Sequence, residues 1–418
     1  MIYLATLFFV IIFFVIYKHR GFDVSAYVSL LYVITSICGI IAITFFPLQV
    51  YTNLSVSSVF SYCLLVAISI IPIYNFDSKK LTKIIVRNTR TIDFMVYLYF
   101  IGFLFTIFVY REDIMFRILY NDFGELRDLV YQGNSYDISH LSGIGGLVEK
   151  FFGFINQASF LMFPVFFISI CFLRRPWWYN LFAILGASSV ILTSILNIER
   201  SSSFKWMIIL MLNYVLFLPF YTKRIRKRII PIVSGVMVLV VLYFSAVTVS
   251  RFHDSDSGTE GGVITYSAKP FLGYCNFYDN YESRTGYFTM KTLFPGFHTY
   301  VLKDHSGGVG YQQEMTHRSN MECGTFYSFL GWFILDMGQV GPYVFIVFYT
   351  LLFLVTLSFK RNNSITLVAL LANYSLIIIP TYGCIAYPYM YGSSTYSVLS
   401  VIALISILES FKLRKNIK

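Results

Sequence analysis

A chain of 418 residues that is 57% hydrophobic and only 13% charged carries about half the charge of an average soluble domain. That composition excludes a soluble enzyme. The 32 Lys and Arg outnumber the 21 Asp and Glu, but in a membrane protein such an excess is read from its distribution among loops and does not call for a nucleic-acid partner.

Crossing a bilayer takes about 20 apolar residues per helix. Suitable runs fall near 2–17, 24–46, 54–74, 93–110, 151–173, 178–198, 205–221, 229–249, 340–358, 364–381 and 393–411. The expected fold is therefore all-α: a single polytopic membrane domain over residues 1–418 with eleven transmembrane helices and a large external loop. No basic residue precedes the first run and no A-x-A site follows it, so 2–17 reads as a retained span and not as a cleaved signal peptide.

Every second connection is basic. Lys18 and Arg20 come first, then Lys79, Lys80, Lys83, Arg87 and Arg90, then Arg174 and Arg175. Lys223, Arg224, Arg226, Lys227 and Arg228 follow, then Lys360 and Arg361, and last Lys412, Arg414, Lys415 and Lys418. These six segments hold 20 of the 32 basic residues and, of the acidic ones, only Asp23, Asp77, Asp93 and Glu409. The positive-inside rule then puts them and the C-terminus in the cytoplasm and the N-terminus outside.

Two external connections are too long for simple turns. Residues 111–150 open with REDIMFRILYNDFGELRDLVYQ. There Met115, Leu119, Phe123, Leu126 and Val130 recur at steps of three and four with acidic residues between them, the pattern of a helix lying in the interface. Residues 251–339 carry four of the six histidines, with many Tyr, Gly and Asn. Aromatic faces stack on sugars and amides bond their rims, while the same composition also suits an interfacial aromatic belt. Cytoplasmic connections are too short for a folded domain, so chemistry is expected outside, without cytosolic nucleotide.

Ionisable residues at the membrane level are costly and mark candidate sites. Glu199 and Arg200 stand in NIERSSSFKW beside Ser201, Ser202 and Ser203, where a guanidinium, hydroxyls and a helix N-terminus make a cradle for phosphate or pyrophosphate. Arg251 in TVSRFHDSD and Lys205 lie at a similar level. In residues 316–343, His317, Arg318 and Asn320 precede an apolar stretch that runs to Asp336, Gly338 and Gly341. Gly324 to Leu335 reads as a dipping helix. Each site has a structural alternative: a snorkelling Arg with Ser caps, an anchoring Lys, a satisfied buried carboxylate, an exposed loop His. The histidines lack metal-ligand spacing and GGVG at 307–310 has no P-loop context, so neither metal nor cofactor is expected. Among Cys275, Cys323 and Cys384 one external disulfide is allowed.

The architecture, ERSSSFKWMIIL, SRFHD followed by YSAKPFLGY, and NMECGTFYSFLGWFILDMGQVGPY together resemble the Wzy-type O-antigen and capsule repeat-unit polymerases. The resemblance implies a GT-C-like glycosyltransferase in the bacterial cytoplasmic membrane, with its active site facing the periplasm or exterior. A growing glycan on undecaprenyl pyrophosphate is the implied donor and a repeat unit on the same carrier the acceptor; undecaprenyl pyrophosphate leaves. It implies that Arg200, Arg251 and Lys205 hold the pyrophosphate, that the base is His317, Glu199 or Asp336, and that Arg318, Asn320 and Tyr274 contact the glycan. Membrane lipid, a chain-length regulator and a flippase are the implied partners. An O-antigen ligase shares the fold and donor. A flippase or transporter is the alternative from another class, disfavoured because no internal repeat is visible. A membrane acetyltransferase would want a histidine deep in a span, where none is found.

Overall fold

The computed structural model describes residues 1–119, 142–196, 201–252, 258–281, 327–360, 363–389 and 392–411, with a few isolated positions between 291 and 321. It is mostly helical, and five stretches are long and apolar enough to cross a membrane: Ile2–Arg20, Val24–Phe45, Val56–Lys80, Thr89–Val109 and Ser328–Leu357. The chain is an all-α polytopic membrane protein. It divides into two compact units. The first holds Met1–Lys80, Glu260–Arg361 and Asn373–Thr395; the second holds Leu81–Thr259, Asn362–Ala372 and Tyr396–Lys418.

In the first unit, α1 (Ile2–Arg20), α2 (Val24–Phe45) and α3 (Val56–Phe76) form an antiparallel bundle. Local chemistry sets their ends. Lys18, His19 and Arg20 occupy the last turn of α1, where the helix dipole favours cations, and Gly21 closes it at φ +63°. Asp23 caps α2 by accepting from the Ala26 N–H at 2.9 Å, and Ser55 caps α3 by accepting from the Ser58 N–H at 3.0 Å. The bundle closes on Phe9, Tyr32 and Tyr62, whose ring centroids lie 5.7 to 6.4 Å apart. The Tyr32 hydroxyl donates to the Pro380 carbonyl at 2.7 Å.

At the bottom of this bundle Asp77, in left-handed conformation after α3, pairs with Arg20 and, at 3.1 Å, with Lys80. Lys360 donates to the carbonyls of Phe76 and Asp77. Arg20 also lies over the Tyr74 ring at 4.2 Å. The first, second and fifth basic segments thus meet at one end. Burial alone would raise the Asp77 carboxyl; hydrogen bonds from Lys80 and Arg20 outweigh it and hold the group below the ordinary carboxylate range. Burial pulls the Lys360 ammonium below its usual value.

Ser328–Leu357 is not one straight rod. Its halves, α13 (Ser328–Met337) and α14 (Gly341–Leu357), fold back at Gly338–Val340 so that Phe333 stacks on Phe345 with centroids 3.9 Å apart. Gly338 takes φ +62°, and a Cβ on Gly341 would collide with the Phe333 carbonyl; glycine is required at both. All ten residues of α13 are buried, as expected of a helix that is apolar all round.

The second unit is built along α4 (Thr89–Val109). Its start is capped by Asn88 and clamped by Glu409, which accepts the N–H groups of Arg87 and Asn88 at 2.7 and 3.2 Å. At the far end Tyr110 donates to Glu149, and Asn156 reaches Thr106 at 3.2 Å. Those two belong to α6 (Ile144–Asn156), which continues into Ser159–Leu173, including α7 (Met162–Ile168), across a 53° bend. Arg175, just beyond, pairs with Asp93 at 2.8 Å. The bent pair therefore runs the whole length of α4, one broken span and not a loop returning to its own side. It starts seven residues earlier than the apolar run at 151 indicates.

The chain returns along α4 through α8 (Trp177–Ala187) and α9 (Ser189–Leu196). Tyr179 donates to Asp93 at 2.7 Å, Phe182 stacks on Phe100 at 4.0 Å, and Leu192 and Leu196 pack on Ile114. Ile114 lies on α5 (Arg111–Leu119). There Met115, on the apolar stripe read as that of an interfacial helix, is exposed, and Arg117 is buried. The remainder of that expected helix lies outside the described residues. Next, α10 (Ser201–Leu216) sets Trp206 edge-to-face on Phe163, and Phe217, just past its end, stacks on Phe167. The long α11 (Lys223–Phe252) follows. Two short parallel strands, β1 (Lys83–Ile85) and β2 (Ser364–Thr366), pair in this unit; β1 falls in an expected connection, whereas β2 takes the first three residues of the run 364–381 expected as a span.

A further departure concerns 251–339, expected as external loop up to its dipping helix. Gly258–Asn280 is a 23-residue helix, α12, packed on α3. Glycine, Lys269 and Pro270 break its apolar run, so no period in the sequence announces it. The last helices are α15 (Leu367–Gly383) and α16 (Gly392–Ser410). Cys275 and Cys384 are buried free thiols, so the allowed disulfide does not join them; Cys323 lies outside the described residues.

Candidate functional site

Opposite the basic end, the first turns of α3, the last turns of α12 and the α13–α14 turn meet in a network of hydroxyls and amides. Asp279 accepts hydrogen bonds from the Ser55 and Ser58 hydroxyls, the Ser58 contact at 2.9 Å, and from the Ser55 N–H at 3.3 Å. A carboxylate is thus added to the positive N-terminal end of α3. Tyr51 reaches the same carboxylate at 3.4 Å, and burial pushes its hydroxyl above the ordinary value.

One turn deeper, the Ser61 hydroxyl is joined at 2.8 Å both to the Tyr274 hydroxyl and to that of Tyr343 on α14. Gln339, in the turn itself, donates its amide to the Tyr278 carbonyl at 2.6 Å, and the Tyr281 hydroxyl donates to the Leu335 carbonyl at 3.3 Å. Asp336 follows directly and is fully buried; it is engaged in the interior and does not stand free. Three helix ends are locked by side chains that offer hydroxyls, amides and carboxylates, the groups that bond the rims of sugar rings.

The sequence-derived residues divide between the units. Tyr274 and Asp336 fall together in the first. Tyr274 is buried, its ring among Tyr62 and Tyr278 and its hydroxyl bonded to Ser61. His317 is exposed in a short helical turn.

In the second unit Lys205 is the fifth residue of α10, with its ammonium 5.6 Å from the centre of the Phe160 ring, just past the bend of the broken span. Arg251 is on the last turn of α11, its side chain outside the described residues. Glu199, Arg200, Arg318 and Asn320 lie outside them altogether. Among the described residues no three His, Cys, Asp or Glu side chains gather as a metal site.

Sequence reasoning missed Asp279, Ser55, Ser58, Ser61, Gln339 and Tyr343. The serines show as a cap signal before an apolar run, but their partners lie more than two hundred residues away in the chain. Compared with protein-family models, curated proteins and solved structures, the chain has no match. What fold and site define is a class: a helical, polytopic membrane protein with a polar network where three helix ends meet.

Proposed function

We propose that this protein polymerises oligosaccharide repeat units carried on undecaprenyl pyrophosphate, as a GT-C-like transferase with eleven spans and an external active site in the bacterial cytoplasmic membrane. The observation that carries the reading is the fold-back of Ser328–Leu357 at Gly338–Val340, which presents the motif's buried Asp336 and Gln339 beside the hydroxyl network. The gathering of basic segments at the opposite end of the bundle supports the orientation, with basic connections in the cytoplasm.

In this mechanism the acceptor's terminal hydroxyl attacks the donor's anomeric carbon. The bond to pyrophosphate breaks, and undecaprenyl pyrophosphate departs with the electron pair. Arg200 and Arg251, with Lys205, neutralise the charge that develops there. His317 heads the candidates to take the acceptor proton, before Glu199 and Asp336.

The test is the purified full-length protein with a lipid-linked repeat unit in the presence of a metal chelator. A ladder of lengthening glycans supports the reading. No extension, with or without divalent metal, contradicts it.

A further inference from the structure

The buried and open faces of α12 differ in a way the catalytic reading does not use. From Ala268 on, its buried side is Ala268, Phe271, Leu272, Tyr274, Cys275 and Phe277. Its less buried side, at helical steps of three and four, is formed by half-buried Tyr266, Lys269, Gly273 and Asn276 and exposed Asn280. The helix stands beside membrane spans: Phe271 lies 4.8 Å from Tyr62 of α3, against Gly39 of α2. The exposed faces of α1 and α14 in this unit are apolar, with Leu4, Leu7, Ile11 and Phe14 on α1 and Val347 and Leu351 on α14. A polar stripe at the same depth does not suit hydrocarbon.

Lys269 sharpens the contrast. It is half-buried, two residues from Phe271, and makes no ion pair or hydrogen bond among the described residues. An unpaired ammonium at membrane depth is costly unless water or an anion meets it. Half-buried Gly273 follows one turn on, and Asn276 and Asn280, linked at 2.9 Å, continue the stripe toward the hydroxyl network.

We propose that this stripe lines an aqueous path and that Lys269 binds the phosphate of a lipid-linked ligand, its amphiphilic occupant. Charge complementarity and depth argue for that ligand: a phosphate anchored to a lipid is delivered to this level, and an ammonium binds it as a point charge. The lipid-linked identity rests on the polymerase reading; the path and its cation do not.

Two measurements on the full-length protein test it. In intact membranes, Asn276→Cys reacts with a membrane-impermeant maleimide above the background of the native cysteines, and Leu351→Cys does not. An unreactive Asn276→Cys overturns the aqueous path without touching Lys269. In native mass spectrometry, Lys269→Gln weakens binding of a polyprenyl pyrophosphate by about tenfold, the size of one charged hydrogen bond, and Lys269→Arg retains binding. Unchanged binding in Lys269→Gln overturns the anion site, and loss confined to inorganic pyrophosphate overturns the lipid-linked occupant. Failure of the polymerase reading shows elsewhere, as normal polymer in cells lacking the gene.

Discussion

At one end of the α1–α3 bundle Asp77 gathers Arg20, Lys80 and, through its carbonyl, Lys360; at the other Asp279 gathers Ser55, Ser58 and Tyr51. Both are carboxylates at helix ends. The first answers cations with a counter-charge, which is how a membrane protein anchors connections. The second spends its charge on hydroxyls and a helix N-terminus, and beside it runs a half-buried polar stripe with an unanswered lysine. Compensated charge marks the anchoring end; uncompensated polarity marks the end where a ligand is expected.

The largest effect tests the ligand side. Arg200→Ala is expected to abolish polymer while protein level stays unchanged, read on polysaccharide gels of complemented cells; a wild-type ladder removes the pyrophosphate role. Arg200→Lys restores little, because an ammonium lacks the forked donors of guanidinium, and full rescue would reduce the residue to a charge anchor.

Structural predictions come next in size. Gly341→Ala forces a methyl into the Phe333 carbonyl and costs about 3 kcal/mol, seen as a lower thermal midpoint in detergent. Asp77→Asn leaves Arg20 and Lys80 without their counter-charge and costs about 2 kcal/mol. The pH dependence has a definite sign. A carboxyl held below its unfolded value gives stability that is complete above the unfolded value near 4 and is lost as pH falls through the folded one. Thermal scans below pH 4 should show wild type converging on Asp77→Asn. Smallest is Asp279→Asn, which weakens a neutral-donor cluster by about 1 kcal/mol, since Ser55 still caps α3.

The apolar runs made much of the fold legible, because a span must be continuously apolar wherever it lies. The first four runs coincide with helices, and the basic alternation anticipates which ends meet in each unit. Elements that escape this logic were invisible. α12 carries Lys269 and Pro270 inside a helix whose buried face serves protein and whose open face is polar, so no hydropathy window finds it. The bend after Asn156 depends on how α6 packs along α4. At the site, Asp336 and the two glycines were legible from local chemistry. The Asp279 cluster was not, since each of its bonds joins residues far apart in sequence. Nor was the bond between Tyr274 and Ser61, residues likewise far apart in sequence.

The most direct measurement is the glycan profile of cells with this gene deleted, on a gel that resolves lipid-linked from surface polysaccharide. A polymerase predicts single capped repeat units with no long ladder. Long polymer retained on undecaprenyl pyrophosphate, or a normal ladder, would contradict it.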